Sequence, residues 1–141
     1  MKIGIYAGSF NPFHVGHYNI LEKAEKIFDK VIIARGVNPE KNNMKTPLPN
    51  SLSNREVFEY SGLLTDFINT LPYDNITLIR GLRNSVDLQY EMNQYRYLQD
   101  LMPEIQVVSI FCDKEYEHIS SSGIRLLTLY GKEKVKDYLV D

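Results

Sequence analysis

Two histidines with a valine and a glycine between them, His14-Val15-Gly16-His17, follow a short apolar segment and a turn-forming stretch. Lys2-Ile3-Gly4-Ile5-Tyr6-Ala7 reads as a short buried strand, and Gly8-Ser9-Phe10-Asn11-Pro12-Phe13 as the turn behind it. Gly8 suits a tight turn, while Asn11 and Pro12 keep the backbone out of regular structure. Gly16 lets the chain approach a ligand closely just where a helix starts. A helix N-terminus offers free N–H groups and the positive end of a dipole, so it suits an anion. Two imidazoles at that point make a polyphosphate the natural ligand. Zinc is the other chemistry paired histidines suggest, but no Cys or His cluster in the chain completes a tetrahedral set.

Three further segments carry phosphate-type chemistry. Arg80-Gly81-Leu82-Arg83 puts two guanidiniums around a glycine at the end of an apolar run, and guanidinium grips phosphate bidentately. His118-Ile119-Ser120-Ser121-Ser122-Gly123-Ile124-Arg125 places three serines before an apolar helix. One serine would suffice as an N-cap; the remaining hydroxyls and free N–H groups suit the distal phosphates. Lys41, in Asn38-Pro39-Glu40-Lys41, is a point charge on a loop that can reach a phosphate, with Lys45 a weaker candidate.

The elements that must position these groups alternate. Ile20, Leu21, Ala24, Ile27 and Phe28 sit at helical spacing and predict an amphipathic helix over 16–28. Val31 to Ala34 is a continuous apolar run, as expected of a central parallel strand. Residues 37–54 are rich in Pro, Asn and Ser and read as one long irregular loop. Glu56 to Tyr60 alternates like a strand, Leu63 to Leu71 suits a short helix, and Ile76 to Ile79 is another buried strand ending at Arg80-Gly81. A long helix is predicted over 85–101, a last strand over 105–111, and two helices over 119–129 and 132–139 around Gly131. The pattern is that of an α/β fold: a five-stranded, mostly parallel sheet with helices on both faces. In such sheets ligands bind beyond the carboxyl ends of the strands, where all four motifs fall.

The chain has 141 residues, which favours a single domain over 1–141 with a core of its own. Its formal net charge of −2 argues against bulk binding to nucleic acid or to an acidic membrane, so local cations must hold any phosphate. Cys112 is the lone cysteine, which fits a reducing compartment. The first residues lack the apolar core of a secretory leader, and no run approaches a membrane span. A cytoplasmic location is the expectation.

The His-x-Gly-His spacing resembles the (His/Thr)-x-Gly-His signature of the nucleotidyltransferase superfamily, whose members attack the α-phosphate of a nucleoside triphosphate and release pyrophosphate. Over nearly the whole chain the sequence resembles the phosphopantetheine adenylyltransferases of coenzyme A synthesis. The likeness rests on Tyr6 to Pro12 with Gly16-His17, on Asn38 to Lys41, on Ser61 to Phe67, and most specifically on Leu78 to Arg83 continuing through Asp87, Tyr90, Glu91 and Met92 to Leu101-Met102-Pro103-Glu104. It implies a Rossmann-like nucleotidyltransferase domain that transfers AMP from ATP to 4′-phosphopantetheine by in-line attack, with Mg²⁺ carried mainly on the ATP phosphates. By the same resemblance Ser9 and His17 contact the ATP phosphates, and Lys41 and Arg83 neutralise charge around them with Arg80 nearby. Gly8, Phe10, His14, Gly16, Gly81 and Glu91 fall on the nucleotide side. Ile119, Ser120, Ser121 and Ser122 line adenine and the distal phosphates. Leu63 and Leu64 pack on the pantetheine arm, with Ser9, Lys41 and Arg80 shared by the acceptor. The family implies a homo-oligomer, usually a hexamer, and no metal site built from protein ligands alone.

This chain departs from the family at four places. Asn11 stands where Asp is usual, His14 where Thr is usual, and Leu98 where a pantetheine-binding Asn is expected. The segment between Lys41 and Glu56 is short. His14 is typical of the nicotinamide and nicotinate mononucleotide adenylyltransferases, which are the alternative reading within the same chemistry. A nucleotide-binding regulator without catalysis is the alternative outside it.

Overall fold

In the computed structural model, which describes residues 1–38 and 45–141, five parallel strands form one sheet in the order β3-β2-β1-β4-β5. The chain runs β1 (Ile3–Gly8), α1 (Val15–Glu25), β2 (Lys30–Gly36), β3 (Glu56–Tyr60), α2 (Leu64–Asn69), β4 (Ile76–Leu82), α3 (Ser85–Leu101), β5 (Gln106–Phe111) and α4 (Ser121–Leu129). It therefore winds outward from β1 to β3, then crosses back to lay β4 on the other side of β1. Strand order reverses between β1 and β4, and a crevice opens beyond their carboxyl ends.

Side-chain alternation sorts the strands onto two faces. Tyr6 of β1, Val31 and Ile33 of β2 and Ile79 of β4 pack with Ile20, Leu21 and Ala24 of α1. Ile3, Ile5 and Ala7, Ile32 and Ala34, and Leu78 face the other way, toward Ile68 of α2 and Leu98 of α3. Ile5, Ile32, Leu78 and Ile79 are fully buried, each worth roughly 1.5–3 kcal/mol on removal from water. The central strands that end at the crevice are thus the most firmly anchored part of the sheet.

Several boundaries differ from those the sequence pattern predicts. Helix α1 stops at Glu25 rather than at residue 28; the Lys26 N–H closes it on Ala24 and Lys23, and the turn returns Phe28 to the core while leaving Ile27 exposed. The stretch over 132–139 is not an α-helix. It is a 3₁₀ turn at Glu133–Asp137, after which the tail extends, pairs Leu139 with His14, and accepts the Val15 N–H at the Tyr138 carbonyl. The described part of the loop over 37–54 is packed rather than free. Its 3₁₀ turn at Asn50–Leu52 buries Leu52, and the Ser51 N–H donates to the Asp141 carbonyl. Strand β4 runs on through Leu82, so Arg80 and Gly81 lie within it. Gly8 closes β1, and the left-handed residue of the turn is Phe10, at φ 47°.

Candidate active site

The turn after β1 is held by aromatic packing and by one buried cation. The Phe10 ring contacts Tyr6, Phe13 and His17, with centroids 5.1, 5.3 and 5.0 Å away. A left-handed non-glycine residue costs on the order of 1 kcal/mol, and this cluster offsets it. A side chain on Gly8 would meet the Phe10 ring at 2.9 Å, so Gly8 serves as space for that ring.

His14 and His17 cap α1 in place of the usual Ser and Glu. The Gly16 N–H donates to His14 Nδ1 at 3.1 Å, and the His14 N–H donates to His17 Nδ1 at 3.0 Å. The rings stack with centroids 3.7 Å apart. A side chain on Gly16 would reach His14 Cε1 at 2.9 Å, so this glycine makes room for the imidazole. Burial, with the Arg83 charge behind it, pulls the His14 pKa down to about 4. Burial, then His14 and Arg83, pushes His17 well below the ordinary range. Both rings are therefore neutral at pH 7. Since each Nδ1 accepts, each Nε2 carries the proton and remains a donor.

Alternation along β4 decides what its motif can reach. Arg80 shares a face with Leu78 and meets α3, where its Nε and Nη2 donate to Glu91 Oε2 and Oε1 at 2.7 and 2.9 Å. Gly81 points to the opposite face, where a side chain would strike Ile20 of α1 at 2.9 Å. Arg83, just past the strand, donates from Nε and Nη2 to the two Asp87 oxygens at 2.9 and 3.0 Å, and its own N–H joins the same carboxylate. Burial works against the Asp87 charge, but Arg83 more than offsets this and holds the carboxyl below its usual range. Both guanidiniums are thus fixed in orientation before any anion arrives.

The serine run closes the crevice from the far side. Ser120 caps α4 by accepting the Gly123 N–H at 3.0 Å, and the Ser120 and Ser122 hydroxyls lie 3.3 Å apart. Ser121 donates to the Pro12 carbonyl at 2.9 Å, and Arg125 donates to the Asn11 carbonyl at 2.6 Å. Helix α4 is therefore tied to the turn after β1.

Together these groups enclose a cleft of about 370 Å³. Of the residues singled out in the sequence, Gly8, Phe10, His14, Gly16, His17, Arg80, Gly81, Arg83, Glu91 and Ser120 to Ser122 all line it. Ser9 does not line it; its side is exposed. Ile119 is buried beside Ile124 and Val135, with its carbonyl 3.5 Å from Arg83 Nη1. Leu63 and Leu64 line a second cleft of about 280 Å³, and Arg80 is common to both. Lys41 lies outside the described residues. Lys45 is spent on an exposed pair with Glu59 at 2.7 Å. Among the described residues no three His, Cys, Asp or Glu side chains gather as a metal cage.

Comparison with known proteins places this arrangement. The cytidylyltransferase-like family model matches residues 5–127. A phosphopantetheine adenylyltransferase of Clostridium botulinum (strain Langeland) is 34% identical over 99% of this chain and 92% of its own length. The Clostridium tetani protein of that name is 32% identical over 100% and 94%. The chain belongs to the phosphopantetheine adenylyltransferase family. Its fold is also that of a solved Vibrio parahaemolyticus structure provisionally named a nicotinate-nucleotide adenylyltransferase (TM-score 0.67, 22% identity, 100% of this chain and 88% of that one). A Francisella tularensis bifunctional NMN adenylyltransferase/ADP ribose pyrophosphatase shares it too, at TM-score 0.65 and 18% identity, over 98% of this chain and 44% of that one.

For a phosphopantetheine adenylyltransferase, the residue that sequence reasoning missed is Arg35. It is 2% exposed, on the α1 face of β2. Its Nε donates to the Ser9 carbonyl at 3.0 Å, and its Nη2 to the Phe10 carbonyl at 3.1 Å and the Thr46 hydroxyl at 3.3 Å. The signal was visible: a charge directly after the apolar run Val31 to Ala34 must be buried with it, and a buried charge needs partners.

Proposed function

We propose that this chain transfers the adenylyl group of ATP to 4′-phosphopantetheine, giving dephospho-coenzyme A and pyrophosphate. The observation that carries this reading is the pair of adjoining clefts that share Arg80. One is lined by imidazoles, guanidiniums and hydroxyls and suits a triphosphate. The other is mostly apolar, with Leu63 and Leu64 in its wall, and suits an uncharged arm. A cation between them suits a phosphate at the end of that arm.

An acceptor phosphate oxygen attacks the α-phosphorus, and the bond from that phosphorus to the bridging oxygen breaks to release pyrophosphate. The nucleophile is already ionised at neutral pH, so no general base is required. His17 donates from Nε2 to an α-phosphate oxygen as negative charge builds there, and His14 stacks behind it and steadies it. Both remain neutral donors, because burial disfavours their protonation. Arg80 and Arg83 stabilise the same developing charge from fixed positions; catalysis is positioning plus electrostatics. Mg²⁺ would enter on the triphosphate, keep most of its waters, and neutralise part of the leaving pyrophosphate's charge. In this reading Ser9, exposed next to the cleft-lining Gly8, and Lys41, outside the described residues, take the phosphate contacts that the family resemblance implies. The chain acts as one nucleotidyltransferase domain in the cytoplasm. It works as a homo-oligomer.

The test is pyrophosphate release from ATP and Mg²⁺ with 4′-phosphopantetheine or nicotinamide mononucleotide in parallel. Release with phosphopantetheine alone is the expected result. Release with the mononucleotide alone would transfer the assignment to that chemistry, which His14 favours. ATP binding without release in either case would leave a nucleotide-binding regulator.

A further inference from the structure

We infer that Gln94 reads an amide of the acceptor arm and so sets acceptor affinity in this chain; the inference rests on the function proposed above. Gln94, Leu98 and Leu101 recur at i, i+4 and i+7 of α3 and so share one helix face. That face forms one wall of the second cleft, opposite Tyr60, Leu63 and Leu64. Among the described residues Arg80 is the one charged group in the cleft lining, and it anchors the phosphate end. Past Arg80 the cleft suits a chain that is uncharged, and Gln94 contributes the only side-chain amide among the described lining residues.

The state of that amide singles it out. Gln94 is half-buried and has no hydrogen-bond partner among the described residues. The neighbouring Gln99 on the same helix is satisfied, donating to the Tyr95 hydroxyl at 2.9 Å and accepting from Arg96 at 3.1 Å. Gln106 is likewise paired with Thr77 at 3.0 Å. An amide offers both donors and an acceptor, so it matches a secondary amide of a ligand at either of its ends. The pantetheine arm carries two such amides separated by methylenes, which suit the leucines around Gln94. Leu98 stands where the family's pantetheine-binding Asn is expected, and it brings an apolar side chain to the cleft wall and to the core beneath it. Gln94, one helical turn earlier, supplies on this chain the amide that Leu98 lacks.

The experiment is steady-state kinetics with ATP and 4′-phosphopantetheine on the full chain, comparing the wild type with Gln94→Leu and with Gln94→Leu/Leu98→Gln. Gln94→Leu should raise the acceptor KM about tenfold, the scale of losing a hydrogen bond between neutral groups. Its ATP KM and kcat should stay within about twofold, because Gln94 does not line the nucleotide cleft. The double variant moves the amide one turn along the same face and should recover most of the lost affinity. An unchanged acceptor KM in an active Gln94→Leu enzyme overturns the inference and leaves the function reading intact. A matching rise in the ATP KM would mark a general disturbance of α3 and also overturn it. A wild type that turns over ATP with another acceptor but not with phosphopantetheine overturns both.

Discussion

Lowering the pH from 7 to 5 should destabilise this protein through His14. In the unfolded chain a histidine titrates near 6.5 and is almost fully protonated by pH 5. In the folded chain burial and the Arg83 charge hold His14 down to about 4, so it stays neutral. The unfolded state then binds more protons than the folded one, and stability falls as pH falls between those two values. For one group moving from pH 7 to 5 the loss is about 2 kcal/mol. His17, also pushed down, acts in the same direction. The assay is urea unfolding at both pH values for the wild type and for His14→Thr, which keeps an N-cap oxygen but cannot titrate. The quantity to read is each protein's change between pH 7 and 5, since the carboxylates contribute to both alike. His14→Thr should lose about 2 kcal/mol less than the wild type over the interval. Equal losses would mean that His14 ionises normally in the folded chain, and the picture of stacked neutral donors would fail.

Two further perturbations probe the same machinery. Replacing His17 with Ala removes the donor at the α-phosphate, and kcat should fall by at least about two orders of magnitude; a near-normal rate in pyrophosphate release would remove His17 from the reaction. Arg35→Met leaves the Ser9 and Phe10 carbonyls without their donor, at roughly 1–3 kcal/mol each, partly offset because a buried charge is also removed. Urea unfolding should show a net loss, kcat should fall at least tenfold, and Arg35→Lys should rescue only partly, since one ammonium cannot span acceptors that the guanidinium fork reaches together. An unchanged kcat in Arg35→Met would show that the turn after β1 holds its shape alone.

Much of the architecture could be read from hydrophobic runs. Val31 to Ala34 and Leu78-Ile79 are apolar on both faces because both faces are covered, which marks them as parts of inner strands before any pairing is known. The phosphate motifs were legible for a related reason. Gly, His and Arg break such runs at their carboxyl ends, where a doubly covered sheet opens to ligands. Less could be read where a residue's role depends on a partner distant in sequence. Nothing near Tyr138 announces that its carbonyl takes the Val15 N–H, so the tail's apolar spacing looked helical. Nothing near Ser9 announces that Arg35 holds its carbonyl.

The division of labour between Arg80 and Gly81 lies between these cases. The motif places both at a strand end, but their roles depend on whether the strand stops before them or carries them. Because β4 continues through Leu82, register pairs Arg80 with Ser109 and Gly81 with Ile110, and successive side chains go to opposite faces. Arg80 is delivered to Glu91 and the boundary between the two clefts, while Gly81 admits Ile20 and lets α1 close on β4. A slip of one residue would put the guanidinium against α1 and the glycine against α3. The His14–His17 cap would then lose its seat, and the clefts would lose the cation they share. The specificity of this site therefore depends on the length of β4 as much as on the identity of its last residues.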